Sequence, residues 1–257
     1  MQTPFEKESE ARVSSWQADG AMQGHAFEFL KASAAEQYPY NFFWMGRPII
    51  QYPQDIVATQ ELIWRIKPDL IIETGIAHGG SLILSASILA MIDHAEAANN
   101  GEMLDPSQPK RRVLGIDIDI RAHNRSAIEE HPMSAYIEMI QGSSIDEDIV
   151  AQVHDRAEEF KNVMVFLDSN HTHDHVFAEL NAYAPLVSSG SYCIVYDTLI
   201  EDMGEGFYPD RGWGPGNSPK SAVHAYLADH PEFEIDKHVD KKLMITVASD
   251  GFLRRKQ

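Results

Sequence analysis

The chain reads as an α/β protein: a doubly wound, mostly parallel sheet of seven strands with helices on both faces. Three observations lead there. Between residues 70 and 196, apolar runs of strand length alternate five times with stretches of helix length, and strict βα alternation specifies a parallel sheet. The central run, Val-Met-Val-Phe-Leu at 163–167, is apolar throughout, as a strand covered on both faces is. Two further strand-like segments, 232–237 and 243–247, follow with no helix recognised between them, so the sheet is expected to end in an antiparallel pair.

In order, residues 1–50 form an extension with a helix near 22–36 and an aromatic cluster, Tyr38, Tyr40, Phe42, Phe43 and Trp44. The cluster reads as a packed cap or an oligomer contact, with a substrate-lining surface as the alternative. Residues 51–257 form the main domain. Ile56, Leu62, Ile63 and Ile66 recur at near-helical spacing until Pro68, and the first strand follows at 70–73. The run from Ser81 to Ile92 is a buried helix, and 97–112, with Asn-Asn-Gly and two prolines, a loop. Strands are expected at 112–116, 135–140, 163–167 and 191–196, with helices at 121–130, 144–160 and 173–186 between them. The long loop 200–219, with five glycines, has the length of a lid. Ser218 and Pro219 then supply an N-cap and a first helical residue for a helix reaching Asp229. The tail from Asp250 to Gln257 reads as basic and exposed.

With 39 acidic against 21 basic residues and a formal net charge of -18, polyanionic partners are disfavoured; no nucleic acid and no membrane partner is expected. The lone Cys193 sits in an apolar run, which excludes a disulfide framework and argues against a catalytic thiol. No basic, apolar leader begins the sequence, and no apolar segment is expected to reach the roughly 18 residues that span a bilayer. A cytoplasmic protein is the expectation, with self-association suggested by the extra N-terminal residues.

Chemistry collects where strands stop, as ligands do in open α/β sheets. Glu73-Thr74-Gly75-Ile76-Ala77-His78-Gly79-Gly80-Ser81 lies between a strand and a helix, and glycine there allows positive φ and close approach of a ligand. Its spacing is not the dinucleotide G-x-G-x-x-G, because Ala77 fills the second glycine position. Asp117, with Asp119 competing, ends the second strand where an acid accepts from ribose hydroxyls. Ser143 or Ser144 follows the third strand, either at a ligand or as a helix cap. Asp168 and Asp197 end the fourth and fifth strands; two converging carboxylates call for a cation, and hard oxygen ligands suit Mg²⁺. His171, His173 and His175 follow Asp168. One of them is a candidate base, His171 and His175 with Asp168 are a candidate non-haem iron triad, and solvated histidines at a helix start remain the third reading.

The segments GRPIIQYPQD, PDLIIETGIAHGGS, GIDIDIR, LDSNHTHDHV, YDTLIED and RGWGPGNSPKSAV, in this order, resemble the cephalosporin hydroxylase and rhamnosyl O-methyltransferase family. That family is similar to the macrolide sugar O-methyltransferases. The resemblance implies a class I methyltransferase fold, Rossmann-like, whose seventh strand is antiparallel. It implies S-adenosylmethionine at Glu73, Gly75, Ala77, Gly79, Ser81, Asp117, Ser143 and Asp168. It also implies Mg²⁺ on Asp168 and Asp197, and His171 as general base. Tyr196 stands where the family pattern has an acid, so Tyr196 or Asp202 is held as a further candidate ligand. Tyr208, Arg211 and Trp213 in the long loop are expected against the acceptor, a sugar hydroxyl of a polysaccharide precursor or a natural product. An iron hydroxylase and a non-catalytic partner subunit are the rival expectations.

Overall fold

The computed structural model describes residues 2–257. Helices α1 (Pro4–Ala18) and α2 (Gly20–Ala35) come first. The first goes beyond the sequence reading, although Thr3 and Glu6 supply the reciprocal capping box that marks a helix start. Trp16 Nε1 donates to the Lys241 carbonyl at 3.0 Å, which ties α1 to the far end of the chain. Of the aromatic cluster, Tyr38 and Tyr40 lie in a 3₁₀ turn, Tyr38–Asn41, while Phe42–Trp44 forms β1, which pairs with β2 (Arg47–Ile49) in a short antiparallel hairpin.

The main domain then runs α3 (Pro53–Ile66), β3 (Leu70–Thr74), α4 (Gly80–Asn100), β4 (Arg112–Asp117), α5 (Ala122–Glu129), β5 (Ile137–Gln141), α6 (Glu147–Ala157), β6 (Val163–Leu167), α7 (His173–Tyr183), β7 (Tyr192–Val195), α8 (Pro219–Asp229), β8 (Phe233–Ile235), α9 (Lys237–Leu243) and β9 (Phe252–Arg255). The sheet order is β5-β4-β3-β6-β7-β9-β8, with β9 antiparallel to both of its neighbours and the other pairings parallel. Two apolar layers flank it, one including Ile71, Leu82, Leu89 and Phe166, the other Leu70, Val165, Leu180 and Val223. Alternate residues of β3 and β6 serve opposite layers, which explains runs that are apolar throughout.

Three expectations are corrected. The segment 243–247 is not a strand: α9 intervenes, started by Asp236, whose side chain accepts from His238 N. Residues 246–247 are instead caught by the buried carboxylate of Asp55, which accepts from Thr246 Oγ1 and from Val247 N at 3.0 Å. The tail is not exposed, since β9 inserts between β7 and β8 with Phe252 and Leu253 buried. Finally, α4 at 21 residues is long and apolar enough to cross a bilayer by length and composition. Here it is a core helix, with Leu82, Ile83, Leu89 and Ile92 fully buried.

Candidate active site

The parallel strands β3, β4 and β6 end side by side, so their following turns share one edge of the sheet. After β3 the chain must turn beneath the end of β6. Gly75 has φ +89°, and a Cβ there would collide with the Asp168 carbonyl oxygen. Ala77 takes a left-handed φ of 47°, a conformation costly for a residue with a side chain. It is over-determined from two sides. Asp117 Oδ2 accepts from Ile76 N at 2.8 Å and Ala77 N at 3.2 Å, and Asn124 Nδ2 donates to the Ala77 carbonyl at 2.9 Å. Arg47 donates to the His78 carbonyl and to Asn124 Oδ1, clamping the same turn from β2. Asp117 therefore braces the turn as well as facing the cavity beyond it. Gly79 packs closely on Ile128 and serves the helix start; of the two adjacent glycines it is Gly80 that lines a cavity.

Three adjoining cavities follow this edge. One of about 110 Å³ is bounded by Gly75, Asp117, Ser143, Ser144, Ser169 and His175. The next, about 190 Å³, has Gly75, Ala77, Ser81, Gln51, Asp168 and Asp197 on its walls. The largest, about 480 Å³, lies between the N-terminal segment and the long loop, against Tyr40, Tyr52, Tyr208, Arg211 and Trp213. Gly75 is common to the first two. Asp168, His171 and Asp197 are common to the last two.

Those three residues converge, with one ligand atom from each lying within 4.8 Å of the others. His171 Nε2 is 3.4 Å from Asp197 Oδ2, and its ring meets Trp213 edge-on at 5.4 Å. Asp197 follows β7 in a left-handed conformation, φ 54°. Its position is fixed by the next residues, because Leu199 N donates to the Val247 carbonyl and Thr198 Oγ1 to the Ser249 carbonyl. Burial pushes the Asp168 carboxyl well above the usual range, with Asp197, Glu73, Glu179 and Asp55 adding repulsion. A carboxyl in such surroundings favours a bound positive charge.

Glu73 is also buried. Its Oε1 accepts from Ser81 while its Oε2 has no partner, and burial raises its carboxyl to about 7. A carboxylate held this way suits a cationic ligand group.

Several sequence-derived candidates stand elsewhere. The Tyr196 hydroxyl is bonded to Thr59 Oγ1 at 2.9 Å, and burial pushes its ionisation far up, so it is no metal ligand. Asp202 is held by Lys220 and Ser249 and is not one of the converging residues. His175 does not join His171 in a triad. Its Nε2 faces Ser144 Oγ at 3.1 Å, Ser169 Oγ at 3.2 Å and Glu179, on the side of the 110 Å³ cavity. His173 is bonded to Ser221 on α8. The wall residues Ile50 and Gln51 carry no role in the sequence reading, although both lie within GRPIIQYPQD, and only the packed chain brings that segment to the cavities; Tyr40, on the same walls, belongs to the aromatic cluster read as a cap or, alternatively, as a substrate-lining surface.

The chain is 30% identical over 214 residues to rhamnosyl O-methyltransferases of Mycobacterium bovis and Mycobacterium tuberculosis, covering 82% of this chain and 77% of theirs. It is 29% identical to that of Mycobacterium leprae over 83% of this chain and 82% of the other. Among solved structures, CmcI in an Mg-SAM form superposes with a TM-score of 0.55 at 18% identity, covering 85% and 78% of the two chains. An O-methyltransferase from Bacillus cereus in complex with SAH gives 0.51 at 16% identity, over 82% and 80%. At those identities the structural likeness speaks for the fold. The profile of the Rhamnosyl O-methyltransferase/CmcI family matches residues 36–256, and the chain belongs to that family.

Proposed function

We propose that the protein transfers a methyl group from S-adenosylmethionine to a hydroxyl of a sugar or sugar-bearing natural product. The observation that carries this reading is the row of cavities meeting at Asp168, His171 and Asp197. The nucleoside of the donor is assigned to the open edge at Asp117 and Ser143, where a cleft of about 110 Å³ takes part of it, and its amino-acid end to the 190 Å³ cavity at Gly75 and Ser81, whose hydroxyl is bonded to Glu73. The acceptor enters the 480 Å³ chamber. Aromatic walls there, Tyr40, Tyr208 and Trp213, suit the apolar faces of a sugar ring, and the acceptor class is further supported by the rhamnosyl O-methyltransferase names of the relatives.

The pair Asp168 and Asp197, two hard oxygen ligands whose charges repel, fits a divalent cation, with His171 beside them. Bound there, Mg²⁺ would acidify a coordinated hydroxyl. The residues of this chain supply the rest. His171, directed by Asp197, accepts the hydroxyl proton as general base. Gly75 keeps the backbone low enough for the donor to lie across the strand ends. Trp213 and Tyr208, whose rings meet at 4.6 Å, close the acceptor chamber and orient its contents. Because methyl transfer is an in-line displacement, alignment of the two reactants is the main task left.

The test incubates the protein with S-adenosylmethionine and a methyl rhamnoside or a metabolite extract, with and without Mg²⁺. Gain of one methyl by an acceptor, with formation of S-adenosylhomocysteine, supports the reading. Oxygen consumption without methyl gain supports the hydroxylase instead, and His175 standing apart from His171 speaks against that rival.

A further inference from the structure

Behind the 190 Å³ cavity lies a socket of about 10 Å³, bounded by Gln51, Glu73, Ser81, Ser85 and the Thr59–Tyr196 pair. Its size is that of one non-hydrogen atom. Gln51 is 5% exposed, Glu73 2% and Ser85 1%. Each carries a buried oxygen without a partner: Gln51 Oε1, Glu73 Oε2 and Ser85 Oγ. Buried polar atoms are ordinarily satisfied, and three orphans around one small space mark a missing donor. Thr59 and Tyr196 are bonded to each other and make no claim on it. No lysine, arginine or histidine lines the socket.

The missing group is defined by this arrangement. All three orphans can accept a hydrogen bond, the Ser85 hydroxyl being also a donor, and one belongs to a carboxylate. A water has two hydrogens, whereas a primary ammonium has three and a positive charge. The socket adjoins the 190 Å³ cavity, with which it shares Gln51, Glu73's partner Ser81, and Asp168.

We infer that Gln51, together with Ser85, binds the α-ammonium group of the cofactor's amino-acid end alongside Glu73. This rests on the proposed use of S-adenosylmethionine. Gln51 is held from both sides for the task. Gly80 packs without a side chain against Pro48 and Ile49 just before it, and Tyr52 just after it is bonded to Ser33 Oγ at 2.8 Å. The same residue borders the acceptor chamber, so the group that recognises the donor's amino end also sets the partition between donor and acceptor.

Calorimetric binding of two thioethers tests this. S-adenosylhomocysteine carries the amino-acid end and 5′-methylthioadenosine lacks it. Gln51→Met keeps length and volume while removing the amide. It is expected to weaken S-adenosylhomocysteine about tenfold or more, as loss of a hydrogen bond to a charged group does, and to leave 5′-methylthioadenosine within about twofold. Ser85→Ala should show the same selectivity with a smaller loss. Equal losses for both thioethers would mean a merely structural role, and unchanged binding in both variants would mean the socket holds water; either overturns the assignment. Failure of the unaltered protein to bind S-adenosylhomocysteine would sink the cofactor reading itself.

Discussion

A methyl group placed on Gly75 would enter the space of the Asp168 carbonyl while forcing φ +89° on a residue with a side chain. Gly75→Ala is therefore expected to lower stability by about 1–3 kcal/mol and to shift Asp168; a denaturant melt and S-adenosylhomocysteine binding would read the two effects. At His171 the two roles open to the ring separate experimentally. His171→Ala should lower turnover about 10²–10⁴-fold, the range for a general base, while Mg²⁺ affinity measured by calorimetry stays near that of the unaltered protein. A collapse of Mg²⁺ affinity would make the imidazole a ligand instead. Tyr196→Phe removes only the bond to Thr59. Its expected cost is about 0.5–1.5 kcal/mol of stability, with no change in metal dependence. Asp168, His171 and Asp197 are legible in the sequence because they stand at or just beyond the ends of apolar runs. Gln51 is not, since its neighbours in space come from β3, α4 and the end of β7, and nothing local in Ile-Ile-Gln-Tyr announces them.

Among the elements, legibility follows burial. β3 and β6 are wholly buried, so their sequences carry an uninterrupted apolar signal. The C-terminal third misleads because residues 243–247, Leu-Met-Ile-Thr-Val, have strand composition but are fastened by Asp55 in an irregular path. The true strand, β9, hides two arginines in a segment that looks like a solvated tail; Arg255 reaches the Pro185 and Val187 carbonyls, and Arg254 lies 3.9 Å from Glu234. Leu253, fully buried, contributes to the core between β7 and β8. Leu253→Ala should cost about 2–5 kcal/mol, read by urea denaturation.

For the molecule as a whole, Glu73 and Asp55 are raised to about 7 by burial. Their folded-state affinity for protons exceeds that of the unfolded chain, so their contribution to stability is largest in acid. It falls as pH rises from about 4 toward 7. Thermal melts of ligand-free protein across this window should show that decline, and Glu73→Gln should flatten it. Saturation with S-adenosylhomocysteine should flatten it too, because an ammonium beside Glu73 favours the ionised form.

The placement of β9 bears on how the protein is made. Asp197 leaves β7 in a conformation that residues 247–251 complete, through Leu199 on Val247 and Val195 N on the Gly251 carbonyl at 2.9 Å. During synthesis the chain emerges N-terminus first, so β7 remains an open edge, and Asp197 unpinned, until the residues around 251–255 have left the ribosome. A nascent chain halted at residue 240 would carry both aspartates and the histidine yet hold no ordered cluster. Its unpaired edge would invite association with other chains, so completion of the reactive centre and protection against aggregation arrive with the same few residues.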